Sequence, residues 1–146
     1  MLVFLDTEFT DPIDCELISI ALVAEDGRKF YAEVLDFDRS KCNQFVRAAV
    51  LSQLSKVEGA EVVRDELPSR LRTWFTELPD DVIIGCDNFT DWELLIDILG
   101  DELPSNLRGR FDLGNWLGLP GWKEAGTAYH ESPGRTWHHA LHDAMA

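Results

Sequence analysis

The sequence predicts an α/β fold, in which a mixed β-sheet carries α-helices on its faces. Three observations lead to this prediction: strand-like segments come first, helical spacing begins near residue 38, and a short apolar strand pattern then lies between two helical segments. Chains in which helices and strands alternate in this way pack their helices against one sheet. With 146 residues, 45% of them hydrophobic, we expect residues 1–146 to form a single domain with its own core.

The beginning of the chain carries three strand patterns. LVFLD (2–6) is an apolar run typical of a buried strand, and ELISIALVAED (16–26) predicts a second strand. RKFYAEVL (28–35) alternates between apolar and polar residues and predicts a third. The segment EDGR (25–28) lies between the second and third strands, so these two strands are expected to form a hairpin.

Helical spacing dominates the middle of the chain. The segment 38–54 has apolar residues four apart and predicts a first helix. A second amphipathic helix is predicted over 67–78, with Pro68 near its start. After the buried strand pattern DVIIG (81–85), a third helix is expected from Asp91 to Leu99, where Gly100 follows.

The remaining part of the chain is predicted to be rich in loops. Residues 101–135 contain three prolines and six glycines, which favour turns over regular elements. Within them, RFDLGNWL (110–117) predicts one short strand or helix. A last helical segment is expected from about His138.

Charge and cysteine content restrict the classes of function and location. The net charge is −14, whereas a protein that follows the phosphates of long duplexes carries a basic face. A short substrate or a single-stranded end fits this charge better, although acidity also serves solubility alone. Three widely spaced cysteines without a CxxC motif predict a reduced, cytoplasmic protein, and no apolar run is long enough to span a membrane.

Acidic residues lie at two places where buried strands end. Asp6 and Glu8 are two residues apart on a predicted strand, so their side chains project to the same face. Asp91 follows the strand 81–85 at the predicted start of a helix, where aspartate is also a common N-cap. Asp87 is closer to that strand and competes with Asp91 for a functional role.

A histidine cluster and an aspartate lie near the end of the chain. His138 and Asp143 are five residues apart, which places them about 140° apart on a regular helix. His138 is therefore expected at or before the first helical turn, with Asp143 inside the helix. His139, four residues before Asp143, is an alternative base by geometry alone. His138 and His142 are also spaced as zinc ligands, which is a less favoured reading.

Four carboxylates that meet at one point need a positive counter-charge, because like charges raise each other's pKa. Oxygen ligands of this kind favour Mg²⁺ or Mn²⁺ over zinc. A pair of divalent cations held by carboxylates hydrolyses phosphodiesters in many enzymes. The acidic residues therefore indicate metal-dependent hydrolysis.

Three segments together resemble the DEDDh 3′–5′ exonuclease family, also called the DnaQ-like or RNase T-like group. The family's first motif, an apolar strand followed by D-x-E, is matched by LVFLDTEFT (2–10). Its second motif, a strand and a loop commonly carrying Asn before an Asp that leads a helix, is matched by IIGCDNFTDWELL (83–95). Its third, H-x-x-x-x-D, is matched by HHALHDA (138–144), and this match selects His138 over His139.

The resemblance implies a ribonuclease H-like fold, with a mixed central sheet flanked by helices. It implies that the carboxylates of Asp6, Glu8, Asp91 and Asp143 hold two divalent cations, and that His138 is the general base. The activity it implies is the release of nucleoside 5′-monophosphates from a single-stranded 3′ end. RNA or short single-stranded oligonucleotides are the favoured substrates, because the acidic composition and small size suit short substrates. A DNA 3′-end exonuclease, an inactive nuclease-like binding module and an acidic mimic of nucleic acid are the alternatives.

Three residues next to these motifs are expected to bind the substrate. Phe9 is predicted to stack on a terminal base, although a core position fits it equally well. Thr10 is predicted to bond the terminal sugar, and Asn88 belongs to the loop of the second motif. Many family members have Thr directly after the Glu of the first motif, where this chain has Phe9. Four tryptophans are expected to line either the core or a homodimer interface: Trp92, Trp116, Trp122 and Trp137.

Overall fold

The computed structural model describes residues 1–116 and 118–146, which form a six-stranded sheet and five α-helices among the described residues. The strands are β1 (Leu2–Phe9), β2 (Leu17–Ala24), β3 (Lys29–Val34), β4 (Glu61–Val62), β5 (Val82–Cys86) and β6 (Leu107–Asp112). The helices are α1 (Gln44–Ala49), α2 (Leu67–Glu77), α3 (Phe89–Leu99), α4 (Trp122–His130) and α5 (Ala140–Asp143). Short 3-10 turns lie at Arg39–Lys41, Leu51–Gln53 and Arg64–Glu66.

The strands lie in the order β4-β3-β2-β1-β5-β6. The neighbours β1 and β2 are antiparallel, as are β2 and β3, whereas β5 runs parallel to both β1 and β6. The short β4 pairs in parallel with β3 at one edge. This mixed sheet with its flanking helices confirms the predicted α/β class, and it is compatible with a ribonuclease H-like fold.

The central strand β1 separates apolar and acidic side chains onto opposite faces. Val3, Leu5 and Thr7 are buried, while the alternating Asp6 and Glu8 are partly buried on the other face. The period of two in a strand produces this division. The strand continues three residues beyond the predicted end at Asp6, so both acids lie within the sheet rather than beyond it.

The adjoining strand β2, which was predicted as the second strand, is buried along its whole length. The hairpin between β2 and β3 is also confirmed. Gly27 has φ +90°, a backbone conformation that favours glycine at such a turn.

Helix α3 begins two residues earlier than predicted. Asn88 is its N-cap, and the side-chain oxygen accepts a hydrogen bond from the Thr90 N–H at 3.0 Å. Asp91 consequently lies inside the first turn and is only 2% exposed. Negative charge is favoured there because the unpaired N–H groups of a helix start carry partial positive charge.

Two regions differ from the sequence prediction. Residues 101–135 were expected to be loop-rich, yet they contain the complete helix α4 in addition to β6; Gly121 precedes α4 and Gly126 lies within it, so glycine content concealed the helix. The helix predicted over 38–54 is regular only in α1, with 3-10 turns on either side. Residue 117, the last of the segment predicted as a short strand or helix, lies outside the described residues.

The tryptophans divide between core and surface. Trp92 packs partly buried against the core, whereas Trp116, Trp122 and Trp137 are exposed. Among the helices described, none has the length and apolar character needed to cross a membrane.

Candidate metal centre

The three motif segments converge at one edge of the sheet. Strands β1 and β5 are parallel neighbours, so the residues at their carboxyl ends lie side by side. Asp6 and Glu8 come from β1, Asp87 follows β5 directly, and Asp91 lies in the first turn of α3. Helix α5 packs on β1 and β2 and brings Asp143 to the same edge.

The candidate ligands form two clusters of three. Glu8, His138 and Asp143 each offer a ligand atom within 4.8 Å of the others. Asp6, Asp87 and Asp91 do the same in the second cluster. Every acid proposed from the sequence therefore belongs to one of the two clusters. Asp87, the alternative to Asp91, belongs to the second cluster as well.

Two carboxylate oxygens in these clusters are buried without a hydrogen-bond partner among the described residues. They are Asp6 Oδ2 and Asp143 Oδ1. A buried polar atom left unpaired costs about 1–3 kcal/mol, and more when it is charged. A divalent cation bound between the carboxylates would satisfy both oxygens, so the residues present fit a metal.

The electrostatics of the carboxylates agree with this fit. Burial, with Asp143 and Asp91 nearby, raises the pKa of Glu8 from 4.5 to about 8. Burial raises the pKa of Asp91 to about 7, although its hydrogen bond from Thr7 lowers it in part. Burial and the neighbouring acids hold the pKa of Asp6 well above its usual range. Without a bound cation, these carboxyl groups therefore remain protonated at pH values at which acidic side chains are ordinarily ionised.

Asp91 is held in place by a contact between two distant parts of the chain. Its Oδ1 accepts a hydrogen bond from the Thr7 hydroxyl at 2.5 Å. Thr7 lies on the buried face of β1, so the bond ties the start of α3 to the strand that carries Asp6 and Glu8.

Asp143 is held by two histidines. Its Oδ2 accepts the backbone N–H of His138 at 3.1 Å. Its Oδ1 lies 3.2 Å from His130 Nε2, which is ion-pair distance, but the contact lacks the geometry of a hydrogen bond. The His130 side chain is 1% exposed and stacks on Trp137 with ring centroids 3.8 Å apart. The sequence offered no signal for His130, because it lies in the region predicted as loops.

The structure separates the two candidate bases. His138 is exposed beside Glu8 and Asp143, and its ring packs perpendicular to that of Phe45 with ring centroids 4.9 Å apart. His139 is buried, stacks on Tyr31, and has its pKa lowered to about 4 by burial and by His142. His138, at the position selected by the resemblance, is therefore the histidine that lies with the carboxylates.

The zinc reading of His138 and His142 gains no support. The His142 ring stacks on His139, and its Nδ1 approaches Thr136. Across 1–116 and 118–146, neither cluster of three potential ligands contains His142.

The predicted substrate-binding residues have different surroundings. Phe9 is partly buried and packs against the core. Thr10 is completely buried; its hydroxyl donates to the Asp14 carbonyl at 2.7 Å and accepts from the Glu16 N–H at 3.0 Å. A sugar cannot reach that hydroxyl, so the role predicted for Thr10 does not fit the structure. Asn88 is exposed, with its side-chain oxygen engaged in capping α3.

An open cavity of about 1020 Å³ adjoins the candidate ligands. Four lining residues belong to the site itself: Asp6, Asp87, His138 and Asp143. The cavity extends from them across the outer face of β1 and β2 toward α4 and includes Phe4 and Trp122. The candidate metal centre is thus open to solvent on one side.

No protein-family model matches the chain. Part of it is similar to two proteins of Mycobacterium tuberculosis, 3′-5′ exoribonuclease MT2234.1 of strain CDC 1551 / Oshkosh and 3′-5′ exoribonuclease Rv2179c of strain ATCC 25618 / H37Rv. Each is 50% identical to this chain over 52 residues, which are 35% of this chain. The matched stretch spans about a third of the length of these relatives, 31% in each case.

Proposed function

We propose that this chain is a single metal-dependent 3′–5′ exonuclease domain that releases nucleoside 5′-monophosphates from RNA or short single-stranded oligonucleotides. The observation that carries the proposal is the convergence of Asp6, Glu8, Asp91 and Asp143 on one edge of the sheet beside His138. Two buried carboxylate oxygens of these groups have no hydrogen-bond partner among the described residues, and a bound cation would neutralise them. The local similarity to proteins named exoribonucleases supports the same activity.

The roles of the residues follow from where they lie. The carboxylates of the two clusters bind a pair of divalent cations, Mg²⁺ or Mn²⁺, because all of them offer hard oxygen ligands. When bound, such cations activate a water and stabilise the charge of the leaving oxygen. Glu8 and Asp143 must lose their protons to bind, which couples metal affinity to pH.

His138 is the proposed proton acceptor. Its ring is exposed at the mouth of the site. A water bound between Glu8 and Asp143 would lie within reach of this ring. Imidazole is the side chain most often used to accept a proton near neutral pH. Exposure to solvent then allows His138 to release the proton after each turnover.

The charge of the molecule favours a short, single-stranded substrate. At −14, the chain repels the phosphates of a long duplex, whose binding depends on many lysine and arginine contacts. A 3′ end can be held by the metals themselves and by stacking on aromatic side chains. The name of the relatives favours RNA over DNA.

The test compares 3′-labelled RNA, single-stranded DNA and duplex DNA, with Mg²⁺, with Mn²⁺ and with a chelator. We expect metal-dependent release of labelled mononucleotide, fastest from RNA. Asp6→Asn and Asp143→Asn keep the size of the side chain but remove a charged ligand, and each should reduce the rate by at least about 100-fold.

Asp97→Asn is the matched control, because Asp97 is an exposed acid on the same helix as Asp91. It should act at the wild-type rate. The wild-type protein should also gain thermal stability from millimolar Mg²⁺ or Mn²⁺, since a ligand that binds only the folded state stabilises it. Tight nucleic-acid binding without turnover would instead favour the binding-module alternative.

A further inference from the structure

We propose that Gln53 is a positioning residue that holds His138 in its active orientation. The inference rests on the proposed function for the role of His138, and it adds a residue that neither the motifs nor the metal clusters contain. Gln53 lies in the 3-10 turn after α1 and is 9% exposed. It is 85 residues from His138 in the chain.

His138 needs an external restraint because its backbone is unusual. Its φ is +59°, in the left-handed region that residues with a Cβ rarely adopt. The side chain is exposed, so it has little packing of its own to maintain this conformation. Such conformations persist where surrounding contacts over-determine the backbone.

Gln53 supplies that restraint through the carbonyls of the two peptide groups that flank the His138 Cα. Its Nε2 donates to the Trp137 carbonyl at 2.6 Å and to the His138 carbonyl at 3.1 Å. Its Oε1 accepts a hydrogen bond from the Thr136 hydroxyl. One buried amide therefore binds three consecutive residues that end at His138.

Gln53 is itself anchored to the rigid sheet. Its Nε2 also lies within hydrogen-bond distance of the Ala49 carbonyl of α1, at 2.9 Å, so the two amide hydrogens are shared among three carbonyl acceptors. Two residues later, the Ser55 N–H donates to Glu33 Oε2 of β3 at 2.7 Å. Glu33 is 3% exposed and also accepts the Tyr31 hydroxyl at 2.8 Å. These hydrogen bonds thus connect the backbone at His138 to the strand β3 through the buried Glu33.

The residues that flank His138 are packed on both sides, whereas the His138 ring itself is exposed and has one aromatic contact, with Phe45. Trp137 stacks on His130, and His139 stacks on Tyr31 at 4.9 Å. Loss of Gln53 leaves these rings in place but frees the two carbonyls between them. The peptide at His138 can then relax out of the left-handed region, which moves the imidazole away from Glu8 and Asp143.

This predicts a specific kinetic signature for Gln53→Met, which keeps the length of the side chain but removes every hydrogen bond. We expect kcat to fall by about 10–100-fold, the loss typical of a displaced catalytic group. KM should change little, and the affinity for Mn²⁺ should fall less than kcat, because the carboxylate ligands are unaltered and only the His138 N–H bond to Asp143 is loosened. Gln53→Glu keeps the acceptor for Thr136 but loses the donors, and it should show the same loss if the Met variant folds poorly. Gln44→Met, at an exposed position of α1, is the matched control.

A double-mutant cycle with His138→Ala separates positioning from general damage. If Gln53 acts through His138, Gln53→Met should cause no further loss of kcat in the His138→Ala background. An equal loss in both backgrounds would overturn the inference and leave the proposed function intact.

A measurement without turnover tests the inference independently of the proposed function. The ring signals of His138 in NMR spectra, assigned with His138→Ala, should shift and broaden in Gln53→Met and remain unchanged in Gln44→Met. Unchanged signals in Gln53→Met would overturn the inference. A wild-type protein without metal-dependent hydrolysis, but with these spectral changes, would overturn the proposed function alone.

Discussion

At the scale of single residues, burial of acidic side chains defines this site. Asp6 Oδ2 and Asp143 Oδ1 are buried without a hydrogen-bond partner among the described residues, and the charges of Asp143 and Asp91 both act on Glu8. Such a cluster destabilises the fold while no cation is present. The arrangement is therefore better suited to binding cations than to stabilising the protein.

A pH prediction follows from Glu8. Its pKa is raised from 4.5 to about 8 in the folded protein, so between these values unfolding releases a proton and higher pH favours unfolding. In the presence of a chelator, Tm should consequently fall as pH rises through this window. We expect a decrease of about 3 °C or more, since about 1 kcal/mol shifts Tm by that amount in a domain of this size.

The variant Glu8→Gln cannot release this proton, so its Tm should depend less steeply on pH than that of the wild type. Asp6 and Asp91 have raised pKa values as well and would retain part of the slope. Identical slopes for wild type and Glu8→Gln, measured by thermal melts across the window, would show that Glu8 is not the titrating group.

At the scale of elements, helix α4 contributes a contact to the site from outside the three sequence motifs. The last residue of this helix, His130, places Nε2 beside Asp143, while its Nδ1 lies 3.2 Å from the Arg135 carbonyl. Helix α5, which carries Asp143, is a single turn of four residues. So short a helix has little stability of its own, and it is held in place by packing on β1 and β2 and by the contact of His130 with Asp143.

Two substitutions distinguish the two contacts of His130. His130→Gln places an amide nitrogen near the position of Nε2, and His130→Asn places one near the position of Nδ1. If the contact with Asp143 supports the metal site, Mn²⁺ affinity should be retained better by His130→Gln. His130→Asn should bind at least about 10-fold more weakly, as is typical when a residue that orients a ligand is lost.

Isothermal titration with Mn²⁺ measures both affinities, and circular dichroism checks that both variants fold. His142→Gln is a suitable control, since its Nδ1 approaches only Thr136 among the described hydrogen-bond partners. An equal loss of affinity in the Gln and Asn variants would assign His130 to packing against Trp137.

At the scale of the whole molecule, net charge sets the mode of substrate binding. A protein that makes 6–10 phosphate contacts loses about 10³–10⁵ in affinity between 50 and 200 mM salt. With a charge of −14, this chain repels nucleic acid at long range, and salt screens that repulsion. At constant Mg²⁺, the KM for a short single-stranded RNA should therefore remain constant or fall as NaCl increases.

Steady-state assays from 50 to 200 mM NaCl test this directly. A duplex of the same length is the natural comparison, since its higher charge density should make it the poorer substrate at every salt concentration. A KM that rises steeply with salt would reveal a basic binding surface that the overall charge conceals.

The chain's local patterns predicted most of the sheet and most of the site. The alternation in β1 placed Asp6 and Glu8 on one face, and the apolar segment 16–26 indicated the strand β2. These features depend on neighbours close in sequence, so periodicity reveals them. Helix α4 was not predicted, because the glycines before and within it favour turns over regular elements.

By itself, the sequence determined which segments carry the acids. It also determined that Asp6 and Glu8 share one face of β1 and that three strands come first along the chain. Only the tertiary structure decided that Asp87 joins Asp91 and that Thr10 is hidden, and it places His138, which the family resemblance had selected, beside the carboxylates. The physical reason is distance along the chain. The bonds from Thr7 to Asp91 and from Gln53 to Trp137 each join residues 84 positions apart, and no local pattern encodes such a contact.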